Sequence, residues 1–208
     1  TGHAFYGAHL GSDVVFKDTY INSASVLYRR FGDNQSSGEN RVSAEIKADI
    51  PLNRDDELAT VLKFDYLGGD FSRSYDVDER LKYGNFNVGL SSAYQLKQDD
   101  LTVNLGASVF YLNDAQNSSN KIYIYPNVTA TYRLVSDVLI AFGGITGDLI
   151  QNSYYGFASE NPFVSPTLFI RPTDQSYNAY VGLKGKVSSH VSYNFNGRYM
   201  SDRNKALF

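Results

Sequence analysis

The chain has no cysteine and no tryptophan, a single methionine and only 5 prolines in 208 residues. Without cysteine there is no disulfide framework, no thiolate metal site and no cysteine nucleophile. A dominant charge sign is also missing: 19 basic residues face 22 acidic ones scattered along the chain, for a net charge of −3. That balance supplies no basic patch of the kind a nucleic-acid binder needs, so no nucleic-acid partner is expected. No apolar run approaches the roughly 18 residues of a membrane helix, and the opening residues TGHAFYGAHLG lack the charged and apolar regions of a signal peptide. A helical membrane protein is therefore excluded. A membrane protein built from strands is not, because alternation keeps its average hydropathy close to that of a soluble protein.

What is abundant is 17 Tyr, 13 Phe and 17 Gly, a strand-favouring mixture. These residues fall into a pattern of period two. In RVSAEIKADI, residues 41 to 50, Val42, Ala44, Ile46, Ala48 and Ile50 share one parity and Arg41, Ser43, Glu45, Lys47 and Asp49 the other. Residues 58 to 67 set Leu58, Thr60, Leu62, Phe64 and Tyr66 against Lys63 and Asp65, completing a hairpin. The same split recurs over 84–96, 101–112, 122–134, 178–187 and 191–199, and no charge interrupts the apolar face. Weaker strands are predicted at 3–10, 20–31 and 138–147, the last interrupted by Gly143 and Gly144.

The connections alternate as well. LNRDD, KQDD, VSD and SSH are short, whereas the polar segments 32–39, 68–82, 113–120 and about 147–176 are long. A meander whose two ends are treated so differently has the plan of an outer-membrane barrel. A soluble sandwich or lipocalin-like barrel would turn the apolar parity inward, and alternation alone does not choose between the two. Three details do. The predicted strands are longer than the roughly 5 to 6 residues usual in soluble sheets and reach the roughly 9 to 11 of a tilted membrane strand. Their polar face is rich in small uncharged residues such as Ser91, Asn104, Ser108, Thr129, Thr131 and Asn194. Aromatics gather at the strand ends, with Tyr94, Tyr132 and Tyr193 by the short turns and Tyr66, Phe86, Tyr111 and Tyr199 by the long loops, as in the two interfacial girdles of a barrel. The expected fold is all-β: an antiparallel up-and-down transmembrane β-barrel of about ten strands in the bacterial outer membrane. Its apolar face meets membrane lipid and lipopolysaccharide, and its polar face lines the lumen.

The final residues SDRNKALF end in Phe208, yet neither parity gives an apolar stripe. They read as an outer loop or the start of another strand, so residues 1–208 are expected to form one barrel region of a longer barrel, with no plug domain in view. YPNVTATYRLVSDVLIAFGGITGDL followed by NPFVSPTLFIRPTDQSYNAYVGLKGKVSSHVSYNFNGRY, with HAFYGAHLGS near the start, resembles the barrel region of TonB-dependent-receptor-like outer-membrane proteins of the Bacteroidota type. The resemblance implies a barrel that binds or passes a solute, and energy-coupled import is implied by it alone. The alternative is a non-transporting barrel serving as a structural or accessory subunit, with other outer-membrane or periplasmic proteins as partners.

No catalytic, cofactor or metal site assembles from the residues. His3 and His9 lie roughly 20 Å apart on a strand at about 3.3 Å per residue, and His190 falls in a short turn. A ten-stranded outer-membrane protease would need an acid–base pair at the rim, where only His3 is available, so no enzyme is expected. Arg41, Glu45, Lys47, Asp49, Lys63 and Asp65 are lumen-facing candidates on adjacent strands that can neutralise one another across the hairpin. Arg133, Lys184, Lys186 and Arg198 are lumen-facing candidates without nearby acids, as in an anion-attracting lining. The long loop is rich in Phe and Pro, which marks it for folding over the lumen, contacting a partner or packing on its own rim. Phe157, Asn161, Phe163, Phe169 and Arg171 are its candidates for ligand or partner contact.

Overall fold

The computed structural model describes residues 3–53, 56–72, 80–164 and 170–206. They form one antiparallel sheet in which ten strands follow in sequence order. These are β1 (Phe5–Val15), β2 (Ile21–Asp33), β3 (Gly38–Pro51), β4 (Asp56–Phe71), β5 (Leu81–Gln98), β6 (Leu101–Asp114), β7 (Ser119–Val135), β8 (Leu139–Ile150), β9 (Thr173–Lys186) and β10 (Ser192–Arg203). One short helix, α1 (Tyr154–Glu160), lies between β8 and β9.

The register keeps each parity on one face. Ala44 stands opposite Phe64, Ile46 opposite Leu62 and Glu45 opposite Lys63, while Val88 meets Tyr111 and Leu90 meets Val109. A slip of one residue would exchange the two faces, so this agreement along successive ladders specifies the pairing. The apolar face is the bare one: Leu90, Leu105, Ile122, Ile124, Val181 and Phe195 are 49% to 71% exposed. An apolar surface of this extent requires a non-aqueous neighbour.

The polar face is concave. Lys63 on β4 reaches Asp148 at the end of β8 at 3.4 Å, and Asn87 on β5 donates to Gln151 just beyond β8 at 3.2 Å. On a flat sheet β4 and β8 would be about 19 Å apart at about 4.8 Å per strand. Only a sheet that curls toward its polar side brings these side chains together. The outer strands β1 and β10 pair with β2 and β9 alone, and no ladder joins them to each other among the described residues.

Three sequence expectations are corrected. Segments 32–39 and 113–120, expected as long loops, are half strand, with turns of only residues 34–37 and 115–118. Their Asp and Ser residues close tight turns: Asp33 accepts the N–H groups of Gln35 at 2.8 Å and Ser37 at 2.9 Å, and Asp114 accepts that of Asn117 at 3.0 Å. Ser36 and Ser118 take the left-handed conformation, at φ 68° and 48°. The long loop is residues 151–172, because β8 and β9 extend into the segment read as loop. At the other end, Asp202 and Arg203 continue β10 opposite Gln175 and Asp174 after a bulge, and Ala206 packs against a buried cluster, so this stretch is neither a free loop nor a new strand. Phe208 and residues 73–79 of the predicted 68–82 loop lie outside the described residues.

Candidate functional site

The concave face is not uniformly polar. Near the β4–β5 loop, Phe31, Leu67, Phe71 and Tyr83 occupy inward positions and are buried together with Tyr154, Phe157, Ala158, Val164 and Ile170 of the 151–172 loop. The loop is therefore folded down onto the inner wall of β2–β5. A helix as short as α1 does not persist on its own in water. Ser153 caps its N-terminus by accepting the Gly156 N–H at 3.0 Å, and burial of Tyr154 and Phe157 contributes about 1.5–3 kcal/mol per side chain. The Tyr154 ring meets Phe71 at 4.9 Å and Phe31 at 5.2 Å, both edge-on, the arrangement favoured by ring quadrupoles.

Polar anchors complete the seat. Glu39, 1% exposed, accepts the backbone N–H of Tyr154 at 2.6 Å and the Tyr83 hydroxyl at 3.0 Å. Arg29 stands 3.8 Å from its other oxygen. Asp33 accepts the Tyr154 hydroxyl at 2.8 Å and lies 3.1 Å from the His3 ring. Arg29 also donates to Ser153 Oγ at 3.2 Å and lies over the Tyr155 ring at 4.0 Å. Burying Glu39 is costly, and these donors offset the cost by replacing water. Burial, with Asp33 accepting its proton, pushes the Tyr154 phenol up, so it remains a donor at physiological pH. Arg29, Asp33, Glu39, Tyr83 and Tyr154 escaped the sequence reading. The signal was there in Phe31, Leu67, Phe71, Phe110, Leu112 and Tyr125, apolar residues on the polar parity near the loop end, which only a covered interior accommodates.

Next to this seat, on the inner faces of β1 to β6 and β8, lies a cavity of about 660 Å³, lined among others by Asp13, Arg41, Glu45, Lys63, Asp65 and Asp148. Arg41 holds Asp65 with a forked contact, Nε to Oδ1 at 2.9 Å. The expected neutralisation across the hairpin applies to this pair but not to the others. Lys63 faces Glu45 in register but gives its ammonium to Asp148, Glu45 takes Lys47 of its own strand at 3.0 Å, and Asp49 accepts from Asn22. Curvature is the reason, since it brings β8 within reach of Lys63. Phe110 lies over Gly89, where any Cβ would overlap the ring, and so gives the cavity an aromatic edge.

The other half of the concave face is open. Arg133, Ile140, Lys184 and Asn194 share one row across β7 to β10, Lys186 lies two residues toward the turns, and Arg198 pairs with Tyr180 farther up. No ion pair reaches any of these four cations among the described residues, and Lys184 lies 5.4 Å from the centre of the Phe142 ring. Of the loop candidates, Phe157 is buried in the seat and Asn161 closes α1, its N–H donating to Phe157 O at 2.8 Å. Phe163 is 94% exposed, Arg171 donates to Asn117 at 3.3 Å, and Phe169 lies outside the described residues. His190 sits in the β9–β10 turn, 2.9 Å from Ser189 Oγ. Among the described residues no group of His, Asp and Glu is placed to hold a metal ion.

No family model matches the sequence, and no curated protein matches it. Solved structures do. A complex of FpvAI with pyocin S2 superposes with a TM-score of 0.50 at 16% identity, over 99% of this chain and 31% of that one. Pseudomonas aeruginosa FpvA bound to a heterologous pyoverdine superposes with a TM-score of 0.52 at 16% identity, over 99% of this chain and 30% of that one. FpvA is a pyoverdine outer membrane receptor. The fold is that of an outer-membrane β-barrel wall. At this identity the likeness is one of fold, and the chain spans about a third of the length of these structures. The bare apolar face of the barrel sheet is thus its membrane face, and the seated loop belongs to its interior.

Proposed function

We propose that the protein is an outer-membrane barrel of the TonB-dependent-receptor-like kind that binds or passes a solute through its interior, without catalysis. The observation that carries this reading is the charged cavity of about 660 Å³ on the concave face, walled by inward residues of β1 to β6 and β8 and bordered by Gln151, where the seated loop begins. A barrel serving only as a structural subunit has no need of a charged chamber, whereas a binding compartment needs walls and fixed polar groups. The charged pairs in it, Arg41 with Asp65 and Lys63 with Asp148, are the inner-wall groups for a polar solute to meet. Because lipid offers no partner to unpaired backbone, the edges of β1 and β10 are to be closed by further strands of the intact protein. Lipid and lipopolysaccharide then contact the apolar face.

The test is solute uptake and conductance by the intact protein in liposomes, compared with a variant lacking residues 151–172. Uptake that changes when the loop is removed supports the reading. A protein that neither passes nor binds any solute, with or without the loop, refutes it.

A further inference from the structure

The open half of the concave face carries four cations that lie apart from the charged cavity. Arg133 and Lys184 occupy one ladder row, two strands apart, which places their backbones about 10 Å from each other. Lys186 is the next inward residue along β9, about 7 Å from Lys184. Arg198 stands two inward positions beyond Asn194, the partner of Lys184, on β10. Arg133, Lys184 and Lys186 thus lie within about one and a half Debye lengths of one another at physiological salt, and Arg198 stands about 14 Å from Lys184 on the same wall.

Nothing on this wall neutralises them. Asp174 and Asp202 lie at the loop end, where Tyr125 donates to Asp174 at 2.9 Å and Lys205 and Gln175 each donate to Asp202 at 2.9 Å. Asp100 and Asp137 in the neighbouring turns make no ion pair with Arg133 or Lys186 among the described residues. The contrast with Lys97 is instructive: it also lies at the turn end, but Glu57 takes its ammonium at 3.0 Å. Repulsion among like charges persists in a fold only where something else compensates it.

The floor between these cations is shaped as well. Gly182 and Gly144 face inward in place of side chains, the Phe142 ring lying over the first and the Tyr180 hydroxyl over the second. Lys184 is held against the Phe142 face, which fixes its direction without neutralising its charge. Asn194 and Asn196 add amide groups on the same face.

From this arrangement we infer that the β7–β10 wall binds a multiply charged anion, one carrying phosphate or carboxylate groups, with Arg133, Lys184, Lys186 and Arg198 as its cationic contacts. The inference rests on the reading of the concave face as the lining of a solute-binding interior, and it narrows the solute class. Separate cations spaced about 7 to 14 Å from their nearest neighbour suit several anionic groups on one molecule better than a single one.

The test is titration calorimetry of the intact protein in detergent with inorganic tripolyphosphate and, separately, citrate. Wild type should bind at least one of them saturably, and more weakly as salt rises. Lys184→Gln with Lys186→Gln should weaken binding at least tenfold, and Lys97→Gln should leave it unchanged. Circular dichroism shows that each variant is folded, and Arg133→Gln alone, expected to give a smaller loss, serves if the double variant is not. Absence of binding to both anions in wild type, equal binding in the double variant, or an equal loss with Lys97→Gln overturns the inference. Uptake of an uncharged solute in liposomes separates the two readings. Uptake without anion binding leaves the transport reading standing and removes this one, and anion binding with the expected variant pattern but no uptake keeps this one and removes only the passage of solute from the broader reading.

Discussion

Strands β2 to β5 and strands β7 to β10 are built on the same alternation, yet their inner faces have become different things. On the first, aromatic residues replace polar ones near the loop end, a loop is seated on them, and the charges pair: Arg29 with Glu39, Arg41 with Asp65, Lys63 with Asp148. On the second, Arg133, Lys184, Lys186 and Arg198 stand without ion-pair partners and nothing covers them among the described residues. One wall has its charges paired, Lys63 across the bend with β8, and the other holds its charge available. A barrel interior therefore cannot be read from parity alone. Parity says which side a residue faces, and the company it keeps there decides whether it builds or binds.

That contrast can be attacked at several strengths. The largest effect is expected from Tyr154→Ala, which empties the centre of the loop-covered half and should cost about 3–5 kcal/mol, read as the denaturant midpoint of the loop end. Tyr180→Ala on the open half should cost about 1 kcal/mol, and equal losses would erase the distinction. Next, Leu105→Arg places a charge on the membrane face and should cost about 2–4 kcal/mol, whereas Asn194→Arg on the inner face should cost no more than about 1 kcal/mol. Reversible unfolding in lipid measures both, and a reversed order would mean that the faces are exchanged. A smaller effect follows from Glu39→Gln, which leaves buried donors poorly matched and should cost about 1–3 kcal/mol. Limited proteolysis should then cut between residues 151 and 172 faster than in wild type, while Arg133→Gln leaves the cutting rate unchanged.

Much of this architecture was legible from alternation. Val42 to Ile50 and Leu101 to Tyr111 could only be strands with one apolar face, and the interfacial tyrosines told a membrane sheet from a soluble one. The turns were harder, because Asp33 and Asp114 look like loop residues by composition and act as turn closers through side-chain acceptors. Harder still was the seat of the loop. Phe31, Leu67 and Phe71 break the parity rule singly, and only the curvature of the sheet shows that they meet one another around Tyr154. The partner of Lys63 was hidden for the same reason, since Asp148 is four strands away along the sheet and near only across the bend.

The account stands on the claim that the apolar parity faces lipid and the polar parity the interior, and the absence of cysteine from these 208 residues makes this directly measurable with labels on an otherwise cysteine-free protein. Single cysteines introduced in turn from Val103 to Val109 in the intact protein, spin-labelled and placed in a bilayer, report contact with dissolved oxygen, which concentrates in lipid. The account predicts high accessibility at Val103, Leu105, Ala107 and Val109 and low accessibility at Asn104, Gly106 and Ser108. The opposite phase, or no period of two, would contradict it.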